Sequence, residues 1–246
     1  MNTPELERQL LVERDGDVAH LRLNMPDAGN RISQPLVGRL ARELRALADD
    51  AAVKMVVLSA RGPHFCQGRE QSRVTASAKP TPLELRSRMM DPIIDVYAAF
   101  RTLQVPVIAA VQGEAHGFGA ALAGSADITL CASDARFSFP ELKSDMPPTL
   151  AMATVIDRVA PKALAWMVYT NAPIGADEAR AIGLVSHVVP AGGLDDAVAG
   201  LVDQLRARSR DALAGVKQFL ARARLQEFDH AADLGRNLLA VVLASR

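Results

Sequence analysis

Three short stretches hold the residues whose types and spacing can do chemistry. Val111–Leu122 reads VQGEAHGFGAAL and follows the apolar run Val105–Val111. A strand, a glycine-rich turn and a helix start together aim backbone N–H groups at a negative oxygen. Gly113, Gly117 and Gly119 permit backbone angles and close approaches that side chains would block. Phe65-Cys66-Gln67-Gly68-Arg69-Glu70 follows a second apolar run, Val53–Leu58, after a short turn. Two such turns can give two N–H donors to one oxygen, which is an oxyanion hole. The third stretch is Phe139-Pro140-Glu141, with Asp145 four residues on. A carboxyl beside apolar groups has its charged form disfavoured, which lifts its pKa toward the range useful in acid–base catalysis.

Plainer readings stand beside these. Glycines also let a helix and a strand touch, and most glutamates are solvated. His116, inside the first turn, can act as an acid or base, or can fill space; without a partner in sequence it reads as pocket lining. The spacing G-x-x-x-G-x-G also fits a dinucleotide phosphate turn. Against that, the turn lies mid-chain, and neither Tyr97 nor Tyr169 is followed three residues later by the expected lysine.

Taken in order, Phe65-Cys66-Gln67-Gly68, Gly113-x-Ala115-x-Gly117-x-Gly119 and Phe139-Pro140-Glu141 resemble the crotonase (enoyl-CoA hydratase/isomerase) superfamily. Leu23-Asn24-Met25-Pro26…Asn30 resembles its N-terminal segment, and Ala181–Val185 followed by Val188-Val189-Pro190 resembles a later one. The resemblance spans nearly the whole chain. It implies an α/β fold, a spiral of strand–strand–helix units followed by a helical region. The division it suggests is 1–193 for the core with the acyl-CoA site and 194–246 for C-terminal helices packing on the core or a neighbouring subunit. It also implies a homotrimer or hexamer, coenzyme A as part of the thioester substrate, and neither a metal nor a separate cofactor.

Carried over residue by residue, the resemblance makes the backbone N–H groups of Arg69 and Phe118 the oxyanion donors, on turns shaped by Gly68 and Gly117. Both side chains depart from the small residues usual there. Glu141 becomes the acid/base. Ala121 stands where full hydratases have a first glutamate, which places double-bond isomerisation beside hydration. Two alternatives remain: hydrolysis of a C–C or thioester bond using Asp145 and His116, and an acyl-CoA-binding protein with weak catalysis. Coenzyme A phosphates call for a local basic rim, for which Arg31, Lys54, Arg69, Arg73 and Lys217 are available.

The elements that must position these groups read as follows. Leu10–Arg14 and Val18–Leu23 flank a turn at Asp15-Gly16-Asp17, a hairpin signal. Ser33 precedes a helix with Leu36, Leu40, Leu44 and Leu47 at helical spacing. Val53–Leu58 and Asp127–Cys131 are short strands. The polar, proline-punctuated segment from Gln71 to Pro82 is a loop, a lid by the resemblance. The residues from Leu83 to Leu103 read as one long amphipathic helix, with Met89 and Met90 able to line an acyl pocket. After Pro147-Pro148 the pattern is helical to the end.

At 246 residues and 49% hydrophobic, the chain can bury one large core. Lys+Arg and Asp+Glu both number 28, which argues against nucleic acid or an anionic membrane as partner. Two cysteines, Cys66 and Cys131, make no disulfide framework. The N-terminus lacks a leader-type apolar core and no run is long enough to span a bilayer, so the expected location is cytoplasmic.

Overall fold

The computed structural model describes residues 3–70 and 80–244. After helix α1 (Thr3–Gln9), strands β1 (Leu10–Asp15) and β2 (Val18–Leu23) form the expected hairpin, antiparallel with Leu10 opposite Leu23. Helix α2 (Gln34–Asp49) begins where Ser33 accepts a hydrogen bond from the Leu36 amide, satisfying one of the orphan donors of the first turn. Strand β3 (Met55–Ala60) runs parallel to β2.

The next segment departs from expectation. In place of one helix from Leu83 to Leu103 there is a four-residue turn α3 (Pro82–Leu85), a π-helical turn over Arg86–Met90, and helix α4 (Asp91–Thr102). Pro82 and Pro92 each sit in a first turn, where the missing N–H costs nothing. Thr81 and Glu84 close a capping box ahead of the first. Met90 is exposed and Met89 half-buried. The expected lid, from Gln71, lies for residues 71–79 outside the described residues.

Strands β4 (Val107–Val111) and β5 (Glu114–His116) lead into helix α5 (Phe118–Ser125). Then come β6 (Ile128–Ala132), β7 (Arg136–Ser138), α6 (Thr149–Val155), α7 (Pro161–Thr170), β8 (Ile174–Gly175), α8 (Ala176–Ala181) and β9 (His187–Val189). Three helices close the chain: α9 (Leu194–Arg206), α10 (Arg210–Ala223) and α11 (Phe228–Ala244).

The main sheet has order β1-β2-β3-β4-β6-β9, parallel beyond the first hairpin. A smaller sheet has order β5-β7-β8. The inner parallel strands are covered on both faces, and therefore read as unbroken apolar runs. Side chains alternate between the faces. Val56, Leu58, Val107 and Ala109 join the principal core with α2, α4 and α5. Met55, Val57 and Ile108 face the other way, onto Val198, Leu201 and Val202 of α9. Helix α9 thus seals the sheet. Helix α11 has no buried residue in this chain, and Phe228, Leu239 and Val241 stand exposed on it. No helix is long and apolar enough to cross a membrane among the described residues.

Lys217, on α10, is a correction to the basic rim. It is 5% exposed; its ammonium donates to the Asp127 carboxylate at 2.8 Å and the Val105 carbonyl at 3.0 Å. The charge is spent inside the protein, fastening α10 to the start of β4 and β6. Lys54 is similarly engaged, with Asp17 at 3.2 Å and the Arg206 carbonyl at 3.0 Å. Removing one partner of a buried ion pair leaves the other charge stranded. Lys217→Met is therefore expected to lower unfolding free energy by about 3 kcal/mol in urea titration.

Candidate active site

The site is assembled by three strand ends brought side by side. The first turn, Phe65–Glu70, is held along its length. The amide of Cys66 donates to the Glu114 carbonyl at 3.1 Å, and the amide of His116 donates to the Cys66 carbonyl at 2.9 Å. The amide of Ile32 donates to the Gly68 carbonyl at 3.0 Å, and that of Glu70 to the Ile32 carbonyl at 3.0 Å. Residue 69 lies between these last two bonds and points its own N–H away from Ile32. Asn30, fully buried, braces the approach to this turn. Its side-chain NH₂ donates to the carbonyls of Arg61 (2.8 Å) and His64 (2.7 Å). The N-terminal motif thus serves as a clamp, a role its spacing did not disclose.

The second turn is pinned to the third stretch by register. In the β5–β7 pair His116 lies opposite Ser138, and the Gly117 amide donates to the Ser138 carbonyl at 2.8 Å. The chain beyond Ser138, Phe139-Pro140-Glu141, is therefore carried alongside Gly117 and Phe118. Gly117 adopts φ +52° and ψ −110°, which favours glycine, and a Cβ there would stand 2.5 Å from Oε1 of Glu141. The carboxyl thus lies directly on the turn. A Cβ on Gly119 would stand 2.0 Å from the Cys66 carbonyl oxygen, so the two glycine turns are in backbone contact.

Phe118 is the first residue of α5, a helix buried on every side. Its N–H belongs to the first-turn donors without an intrahelical acceptor, at the positive end of the helix dipole. Among the described residues, neither the Arg69 nor the Phe118 N–H donates to another group. The Phe118 ring packs on Tyr97 of α4 with centroids 5.6 Å apart, tilted by 33°. Tyr97 is a site residue that the sequence offered only as one apolar position on a helix.

Glu141 is half-buried, and its Oε2 is a buried atom with no hydrogen-bond partner. Burial is the larger influence on its carboxyl and pushes its pKa above the ordinary glutamate value, a bond from its own amide pulling the other way. Burial also raises the Tyr97 phenol, with the Glu141 charge adding to it and Arg69 opposing it. Tyr97 stays protonated. Ala121 is fully buried on α5 and adds no second carboxyl.

The remaining expected residues fall elsewhere or serve the frame. The His116 ring joins the Ser138 hydroxyl at Nδ1 (2.8 Å) and lies 3.6 Å from Glu114 at Nε2. Burial holds its pKa below the usual histidine value, against the pull of Glu114. Asp145 is exposed and left-handed (φ +54°), ending the 3₁₀ turn Glu141–Ser144. No hydrogen bond or ion pair joins it to His116 among the described residues. Arg31 is exposed, one residue from the Ile32 bridge to Arg69. Arg73 lies outside the described residues. Burial pushes the thiols of Cys66 and Cys131 up to about 12, so both are inert apolar fillers. A cavity of about 800 Å³ lies under α9, lined by His20, Arg22, Gln112 and Arg206; none of Gly68, Gly117 and Glu141 borders it.

Against known families, the model for enoyl-CoA hydratase/isomerase matches residues 13–240. The chain belongs to the enoyl-CoA hydratase/isomerase family. It is 29% identical over 216 residues to the 2,3-dehydroadipyl-CoA hydratase of Escherichia coli K12, covering 87% of this chain and 82% of that one. It is 29% identical over 183 residues to enoyl-CoA hydratase domain-containing protein 3 of Xenopus laevis, covering 73% of this chain. The match takes in only 60% of that relative's length. A crystal structure from Thermobifida fusca YX in complex with CoA superposes with a TM-score of 0.86 at 28% identity, covering 100% of this chain and 97% of that one. An enoyl-CoA hydratase/isomerase fold of this kind is the α/β spiral that the motifs imply, and the family acts on CoA thioesters.

Proposed function

We propose that this enzyme acts on an enoyl-CoA by proton transfer at Glu141, with the thioester oxygen held by the backbone N–H groups of Arg69 and Phe118. The observation carrying the reading is the buried, unpartnered Oε2 of Glu141 beside Gly117, next to two unengaged amides. Such a carboxyl has one oxygen, Oε2, free to take a proton. The reaction it can run alone is a double-bond shift. The Glu141 carboxylate removes a proton from C2 of a 3-enoyl-CoA. The electron pair moves through C1 onto the thioester oxygen, forming a dienolate. The protonated Glu141 then delivers its proton to C4, and the returning electrons leave the double bond between C2 and C3. Amides fixed before the charge forms need no reorganisation, each worth about 2.7–4 kcal/mol of barrier.

Hydration is the second reading. The names of the relatives favour it, and a water would have to be held by Glu141 without a carboxyl from position 121. Turnover of a 3-enoyl-CoA and of crotonyl-CoA, measured side by side, separates the two. In either reaction the base must be ionised in the free enzyme. The acid limb of kcat/KM is therefore expected at a pH above the ordinary glutamate pKa of about 4.5, with activity lost as pH falls through it. A limb at or below that ordinary value would contradict a desolvated base.

We also infer a homotrimer or hexamer. The apolar residues on α10 and α11, Phe219, Leu220, Leu239 and Val241 among them, support it. Sedimentation velocity giving a monomer would refute it.

A further inference from the structure

The Arg69 side chain presents a problem that its backbone role does not explain. Its Nε is buried without a hydrogen-bond partner. One terminal nitrogen donates to the Gln34 side-chain oxygen, a neutral acceptor at the start of α2. No carboxylate pairs with the guanidinium among the described residues. The undescribed segment 71–79, QSRVTASAK, contains neither Asp nor Glu, so it cannot supply one. Glu70, adjacent in the chain, is exposed. Burial disfavours the charge and holds the guanidinium's pKa below the ordinary arginine value. Lys54 and Lys217 each meet a carboxylate, and half-buried Arg158 meets the carbonyls of Gly124 and Ala126. A desolvated guanidinium with an idle donor is costly unless something brings the missing anion.

Its location says what that is. The guanidinium is carried by the residue whose amide lies on the first oxyanion turn, and it is half-buried against Gln34. It is thus within one side chain of the oxyanion turns, with its Nε buried, and not at an exposed rim. Resting on the reading of this site as an enoyl-CoA site, we propose that Arg69 recognises a carboxylate at the far end of the acyl group, making the substrate a short dicarboxylic acyl-CoA. The acyl chain is short because the guanidinium stands no further from the thioester oxygen than one arginine side chain from its own amide. A carboxylate matches the fork geometry of arginine and needs the charge, whereas a hydroxyl would leave the charge uncompensated.

The test is affinity, which needs no turnover. Dissociation constants of succinyl-, glutaryl- and adipyl-CoA are compared by calorimetry with those of butyryl-, pentanoyl- and hexanoyl-CoA, and with free CoA. Wild type is expected to bind at least one carboxylated ester about 30-fold or more tighter than its uncharged partner of equal length. Arg69→Met, which keeps the amide, is expected to bring that ratio close to one, weakening the carboxylated ester more than its uncharged partner. Wild-type ratios near unity, or favouring the uncharged ester at every length, overturn the proposal even if the variant fails to fold. If Arg69→Met weakens free CoA and both esters alike, Arg69 serves the CoA phosphates and the proposal fails. Binding of the uncharged esters with no carboxylate preference leaves the enoyl-CoA reading intact. Failure to bind any ester removes both.

Discussion

Glu141→Gln is expected to lower kcat on a 3-enoyl-CoA by about 10²- to 10⁴-fold, the usual worth of a positioned acid–base group. The amide occupies nearly the same volume but accepts no proton. Binding of the CoA thioester should change little, because the carboxyl makes no hydrogen bond in the free enzyme through Oε2. The same change is expected to stabilise the fold. The folded-state pKa of Glu141 is raised, so the folded chain keeps that proton to higher pH than the unfolded chain does. Stability tied to the neutral carboxyl is complete below the unfolded value near 4.5 and is lost as pH rises through the raised value. At neutral pH the buried carboxylate is a net cost, and glutamine removes it. A higher Tm with much lower kcat would mark a residue kept for chemistry. Unchanged turnover would take Glu141 out of the mechanism.

The second large effect belongs to Gly119→Ala. Gly119 is inside α5, where alanine suits the backbone, so the substitution tests only space. The added Cβ would lie 2.0 Å from the Cys66 carbonyl oxygen and 2.9 Å from the Cys66 carbonyl carbon. Those are backbone atoms, and the carbonyl is already bonded to the His116 amide. The Phe65–Glu70 turn must therefore move away from α5, which separates the amides of Arg69 and Phe118. Loss of one oxyanion donor costs about 10²–10³ in kcat, and that is the expected fall, with a reduced Tm. Glu141 is untouched, so the acid limb of the pH profile should stay in place. A shifted limb with normal kcat would show that the contact supports the carboxyl and not the oxygen-binding turns.

Much of this arrangement was legible because its causes are local. The hairpin at Asp15-Gly16-Asp17, the Ser33 cap and the apolar runs of β3 and β4 each follow from turn chemistry or from two-sided burial. Position along the chain carried the glycine turns and Glu141, through family resemblance. What could not be read depends on partners distant in sequence. Lys217 sits on an amphipathic helix among polar neighbours, and only Asp127, ninety residues earlier, reveals it as buried. The break at Arg86–Met90 escaped because the apolar pattern from Met89 to Leu103 continues across it, whereas the capping box and Pro92 that divide the helix are signals of a different kind. Arg69 was visible as an unusual residue in a glycine turn. That its Nε is buried without a partner, with no carboxylate to meet the guanidinium among the described residues, is a property of the packed site alone.

The central claim is that two amides on separate turns share one thioester oxygen with a carboxyl beside the adjoining carbon. A crystal structure with an unreactive acyl-CoA bound tests it most directly. The account predicts the thioester oxygen within about 2.7–3.1 Å of both the Arg69 and Phe118 nitrogens, and Oε2 of Glu141 against C2. A thioester oxygen turned to solvent, or held by any other pair of groups, would contradict it.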